Sequence, residues 1–190
     1  MSGIQGPSCA YTTSIQEPFS QTLNALVHHM CNLVHPRGFK VVNGRAAPYP
    51  SLRQVSDDLR LKGTVRISTE GAEDNIFGCL DTYACFMAWH DWTHYTLKAP
   101  FTLAGEQLAI EDQVRQLKQT FGCDLLGTSD AMDMAGDLMR IMVLGQLEYA
   151  LKNDDQWPES PRQFVAQGMI DLGYTQFDKF LATKENSRED

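Results

Sequence analysis

Two histidines one helical turn apart, with a carboxylate beside them and another further on, stand out in residues 86–114, FMAWHDWTHYTLKAPFTLAGEQLAIEDQV. His90, Asp91, His94 and Glu106 sit there among apolar neighbours. A buried ionisable group costs several kcal/mol unless it is paired, neutralised or bound to a metal. Imidazoles at i and i+4 reach one ion from one face of a helix. In a helix over 74–97, Ile76, Cys79, Tyr83 and Phe86 share the direction of His90, so both histidines continue a buried stripe, with Asp91 on its flank. In the next helix Leu103, Ile110, Val114, Leu117 and Phe121 define the apolar face, and Glu106 points within about 40° of its centre. A stripe of Ala131, Met134, Leu138, Ile141 and Gly145 is continued by Glu148, a second inward carboxylate. The candidate metal ligands are therefore His90, Asp91, His94, Glu106 and Glu148. His and carboxylate donors suit a divalent transition metal, with zinc, iron, manganese and cobalt equally compatible.

Other polar residues rank behind these. His29 flanks the apolar face of the first helix and is the one further histidine with a claim to the site; His28 points away from that face, and His35 sits at a proline-terminated end. Asp133 and Asp137 are candidates to complete the set, although an acidic residue near a helix N-terminus needs no ligand role. Glu111 and Asp112 fall on a solvated face. A purely structural alternative stands beside the metal reading: a buried His/Glu hydrogen-bond network that fixes core geometry.

These residues need helices to position them. Helical periodicity runs over 19–34, briefly over 52–61, and again over 74–97, 103–121, 129–152 and 161–181, punctuated by Pro36, Gly38, Pro100, Gly122, Gly127 and NDDQWPESP. Between them, FKVVNGRAAPYPS and GTVRIST carry β-branched residues amid turn formers, enough for one small hairpin or paired strand segment. The expectation is a mostly α, single-domain helical bundle over 19–182 with about five main helices, an irregular arm over 1–18 and a polar tail over 183–190.

Composition narrows the function classes. The chain has 190 residues and a net charge of −8, and it has no Lys/Arg cluster of the kind that binds a nucleic-acid backbone. No apolar run reaches membrane-spanning length, and the N-terminus lacks the basic and apolar regions of a signal peptide, so a cytoplasmic location is expected. Five cysteines without a CxxC pair argue against a disulfide framework and against a cysteine zinc cluster. A small-molecule substrate fits this frame, and a homo-oligomer stays open.

HDWTH at 90–94, followed by Pro100-Phe101 and the Ala104-Gly105-Glu106 triplet, resembles the HDxxH, PPF and HAGE run of HD-domain deoxynucleotide triphosphohydrolases, an all-α family of metal-dependent phosphohydrolases. The resemblance implies that His90 and Asp91 bind metal, and that His94 and Glu106 assist a water attacking phosphorus. FMAWHDWTH with its trailing Gly-Glu is also similar to uncharacterised phage and plasmid proteins with an FxAxHDxxxH block, from which no activity follows. The leading expectation is a metal-dependent hydrolase of nucleotides or other phosphate esters. Two alternatives remain: a ferritin-like or non-haem di-iron oxidase, in which Asp91-Trp92-Thr93-His94 imitates a Glu-x-x-His motif, and a non-enzymatic helical assembly protein.

Overall fold

In the computed structural model, residues 18–42, 49–69, 72–122 and 129–181 are described. Residues 1–17 of the arm expected over 1–18 and the tail over 183–190 lie outside them, as do Cys9 and Cys123. The chain is mostly helical, and the order of elements is α1 (Gln21–Val34), β1 (Lys40–Val42), α2 (Leu52–Lys62), β2 (Arg66–Ser68), α3 (Leu80–Leu97), α4 (Leu103–Phe121), α5 (Ser129–Arg140), α6 (Gln146–Lys152) and α7 (Pro161–Asp171). A π-helical segment, Ile141–Gly145, joins α5 to α6, and a 3₁₀ turn, Thr175–Phe180, follows α7.

The described helices number seven rather than five. The short helix over 52–61 forms as the full element α2, and the helix expected over 129–152 is interrupted by the π segment. Of the two strand arrangements expected, the paired segment forms and the hairpin does not. β1 and β2 pair in parallel, with Lys40 opposite Arg66 and Val42 opposite Ser68, so they are not a hairpin. Parallel strands need a crossover, and α2 supplies it.

α2 is fastened to that pair by one buried acid. Asp58 accepts hydrogen bonds from Tyr49 (3.0 Å), from Arg66 Nε (2.8 Å) and from Lys62 (2.5 Å). Burial alone would raise its carboxyl pKa, but these donors outweigh burial and hold it below the ordinary value.

α3 is the central helix. It begins at Leu80 rather than near residue 74, because 74–79 form turns in which Asn75 Oδ1 accepts from the Phe77 amide (2.9 Å). Thr82, Ala84, Cys85, Phe86, Ala88, Trp89, His90, Asp91, Thr93 and His94 are all buried, so the helix is covered on every side rather than along one stripe. α1 packs against it through Leu23, Leu26, Val27 and Met30, which belong to the same core as Phe86, Ala88 and Trp89. A polar seam crosses this interface: His28 Nε2 meets Thr82 Oγ1 at 3.0 Å and its Nδ1 meets Cys85 Sγ at 3.2 Å, while His35 Nε2 donates to the Ala88 carbonyl at 2.9 Å. His28 therefore faces α3, contrary to its expected outward direction. On the other side α4 lays Ile110, Val114 and Leu117 into the core, and Trp89 donates to Gln116 at 2.9 Å.

Candidate metal centre

The centre forms where the end of α3 turns into the start of α4. α3 stops because Lys98 adopts the left-handed conformation (φ 55°), and the Lys98 and Ala99 amides cap its last carbonyls. That turn carries the Ala99 carbonyl back to His94, whose Nδ1 lies 3.0 Å away. α4 then starts at an N-cap, Thr102, whose hydroxyl accepts from the Gly105 amide. The first turn of α4 is pressed onto the preceding loop so closely that a Cβ on Gly105 would sit 1.8 Å from the Pro100 carbonyl oxygen. Only glycine allows that approach. Its neighbour Glu106 is thereby set against α3.

Three atoms converge at this point. Glu106 Oε2 lies 2.8 Å from His90 Nε2 and 3.1 Å from His94 Nε2, and the two Nε2 atoms are 3.0 Å apart. The other ring nitrogens are fixed by acceptors. The Ala99 carbonyl can only accept, so His94 carries its proton on Nδ1; Gln113 Oε1, 2.6 Å from His90 Nδ1, places the His90 proton likewise. Both Nε2 atoms then present lone pairs to each other and to a carboxylate oxygen. One proton shared by two of the three atoms leaves both contacts of the third without a proton of their own. A divalent cation satisfies all three at once.

The surroundings strengthen that demand for positive charge. His94 is fully buried, His90 nearly so, and the Glu106 side chain is 16 % exposed, which makes Glu106 the edge of the site open to solvent. Phe86 stacks on His90 and Phe101 meets His94 edge-on at 4.8 Å. Burial opposes charge on either partner, yet the contacts win: His90 is held above its ordinary pKa by Glu106 and Gln113, and the two histidines bring Glu106 down to about 2. Asp91 follows His90 on α3 and is also buried. Desolvation pushes its carboxyl up to about 7, against the pull of both histidines and with the push of Glu106.

His90, His94 and Glu106 thus form a group that could hold a metal ion, with ligand atoms all within 4.8 Å of one another. No protein-family profile, curated protein or solved structure matches this chain. The candidate function therefore rests on the site itself.

The other sequence candidates are placed elsewhere. Asp91 is buried beside the group but is not one of its members. Glu148 is corrected: it is exposed and its carboxylate lies 3.5 Å from Lys152 Nζ. Of the expected stripe only Leu138 is fully buried; the buried face of α5 runs through Met132, Ala135, Leu138 and Met139, away from the direction that Glu148 continues. His29 is exposed and meets Phe121 edge-on at 5.1 Å, away from the centre. Asp133 pairs with Lys118 (2.7 Å), whereas Asp137 accepts from Arg140 (3.1 Å) and from Tyr174 (2.9 Å).

Gln113 is the site residue that the sequence reading missed. It is fully buried; its side-chain oxygen accepts from His90 Nδ1, and its side-chain nitrogen has no partner among the described residues. The signal was available: Gln113 follows Glu106 by seven residues, two turns along the same inward face of α4.

Proposed function

We propose that the protein is a metal-dependent hydrolase whose divalent ion is held by His90, His94 and Glu106. The observation that carries this reading is the convergence of two imidazole lone pairs and a carboxylate oxygen at 2.8–3.1 Å in a buried site. A proton alone leaves such a set unsatisfied. When bound, a divalent transition ion would lower the pKa of a water towards neutrality and polarise the oxygen of a substrate.

The chain's own residues supply the rest. Gln113 and Ala99 hold the two rings in the tautomer that leaves Nε2 free. Phe86 and Phe101 keep the rings in a medium of low dielectric. Asp91, buried beside the group and not one of its ligands, is the acid we assign to moving a proton between the attacking water and the leaving group. In this reading His94 and Glu106 act as ligands, and the proton-handling role given them by the family resemblance passes to Asp91.

The substrate class we favour is a phosphate ester, nucleotides included, on the strength of the HD-like run at 90–106. The net negative charge is no obstacle, because a bound divalent cation reverses the local field that a phosphate meets. The di-iron alternative loses support, since Glu148 is exposed and, among the described residues, Glu106 is the one carboxylate grouped with the two histidines.

The test is phosphate release from a panel of nucleoside mono- and triphosphates and deoxynucleotides with Mn²⁺, Co²⁺ or Mg²⁺. Chelation should stop turnover, and Asp91→Asn should lower kcat by about 10²–10⁴ while metal content persists. A panel that stays inert with metal bound removes the phosphohydrolase reading. Release that survives both chelator and Asp91→Asn contradicts the mechanism.

A further inference from the structure

α1 and α3 run side by side in the same direction and in a fixed register. Asn24 Nδ2 donates to the Phe77 carbonyl at 2.9 Å, His28 Nε2 meets Thr82 Oγ1 at 3.0 Å, and His35 Nε2 donates to the Ala88 carbonyl at 2.9 Å. These partners are 53, 54 and 53 residues apart in sequence, so each step along α1 is matched by an equal step along α3. The offset of 54 that joins His28 to Thr82 also sets Cys31 opposite Cys85. Ala84 and Ala88 stand beside Cys85, both buried, and side chains that small let two helices approach closely.

Both sulfurs are buried, and Cys31 lies within hydrogen-bonding reach of the Cys85 thiol. His28, one turn before Cys31, completes the group. Its Nδ1 is 3.2 Å from Cys85 Sγ, and Thr82 Oγ1, which its Nε2 meets, lies 3.0 Å from Sγ of the half-buried Cys79. The Cys31 contact and burial push the Cys85 thiol up, whereas His28 pulls it down. The resting pair is therefore protonated, and His28 is the group placed to release it.

We propose that Cys31 and Cys85 are a redox modification site, a dithiol that hydrogen peroxide closes into a disulfide between α1 and α3 with His28 carrying the proton. His28 Nδ1 takes the Cys85 proton, and the thiolate attacks one peroxide oxygen. An S–O bond forms, the O–O bond breaks, and the departing hydroxide leaves as water with the proton from His28. Cys31 Sγ then attacks the Cys85 sulfenic acid. The S–S bond forms, the S–O bond breaks, and the hydroxyl leaves as a second water with the Cys31 proton. Two electrons pass from the sulfurs to one peroxide, and two waters result. The bond ties α1 to the helix that presents His90 and His94, and it needs no metal.

The full reduced chain is treated with hydrogen peroxide in the presence of a chelator and read by intact mass and non-reducing peptide mapping. The expected product is lighter by two hydrogens, has the Cys31 and Cys85 peptides joined, and reopens with dithiothreitol. Cys31→Ser should stop at the Cys85 sulfenic acid, which dimedone labels. His28→Gln, whose amide can still bond Thr82, should close about 10²-fold more slowly at matched helical content. A link made instead through Cys9, Cys79 or Cys123, or oxidation of Cys85 without a link in the wild-type chain, overturns the pair. Closure of His28→Gln at the wild-type rate overturns the proton role of His28.

Discussion

Gln113 illustrates how a residue outside the ligand set can decide whether the set works. Its carbonyl oxygen fixes the His90 proton on Nδ1, while its own Nε2 has no partner among the described residues. Gln113→Leu removes both the useful acceptor and the orphaned donor. Each unsatisfied buried group costs about 1–3 kcal/mol, so one loss offsets the other. The metal-free variant should therefore melt within a few degrees of wild type. Its metal affinity should fall about 10–100-fold, because the His90 tautomer is no longer enforced. Melting curves with and without added Mn²⁺ separate these effects; a variant with unchanged metal response shows that Gln113 only fills space. At this scale the sequence was readable wherever chemistry and periodicity coincided. His90, His94 and Glu106 were visible because charged residue types interrupted apolar stripes. Gln113 was hidden because an uncharged amide on an inward face looks like ordinary packing.

At the scale of elements, two glycines predict different outcomes for one kind of substitution. In Gly105→Ala the new Cβ would lie 1.8 Å from the Pro100 carbonyl oxygen, a backbone atom that cannot step aside without moving the turn between α3 and α4. That turn also carries Ala99, and the displaced helix carries Glu106. The variant should lose metal retention together with about 1–3 kcal/mol or more of stability. In Gly168→Ala the Cβ would meet Ile141 Cγ2 at 2.9 Å, against the π segment and far along the chain from the centre. A similar loss of stability is expected, with metal affinity unchanged. Equal metal loss in both variants would show that retention reports global stability, not the α3–α4 turn. The elements themselves were largely legible. The α4 boundaries coincide with the expected 103–121, since Thr102 and Gly122 bracket an unbroken stripe. The π segment was not legible, because nothing in IMVLG departs from helical composition, and the apolar residues of 129–152 allow two stripes, of which the expected one, through Ala131 and Met134, carries Glu148 and the buried one, through Met132, Ala135 and Met139, does not. Nor does local patterning reveal strand direction, which depends on α2 crossing between β1 and β2.

For the whole molecule, none of the described helices is long and apolar enough to cross a membrane, and stability divides into two separable contributions. One is the Asp58 cluster that fastens α2 to the strands. Its folded-state pKa lies below the ordinary 3.8, so its contribution is fully present above about pH 4 and is lost as pH falls through the folded value. Asp58→Asn should lower stability at neutral pH by about 2 kcal/mol and flatten the acid limb of a denaturation profile. An unchanged acid limb would mean that other carboxylates govern acid unfolding. The second contribution is linkage to the metal. An ion that binds only the folded chain adds about 2.7 kcal/mol at a free concentration one hundred times its Kd, with no effect on the Asp58 limb.

Metal content after equilibrium dialysis separates a metal centre from a structural network, with wild type and His94→Ala measured side by side at matched helical content by circular dichroism. One divalent transition ion per wild-type chain is expected and essentially none in the variant, because His94 Nε2 is one of three donors and its loss leaves a bidentate remnant. A wild-type chain that retains no ion, or a His94→Ala chain that keeps the full complement, would contradict the account and leave the His/Glu group as a structural hydrogen-bond network.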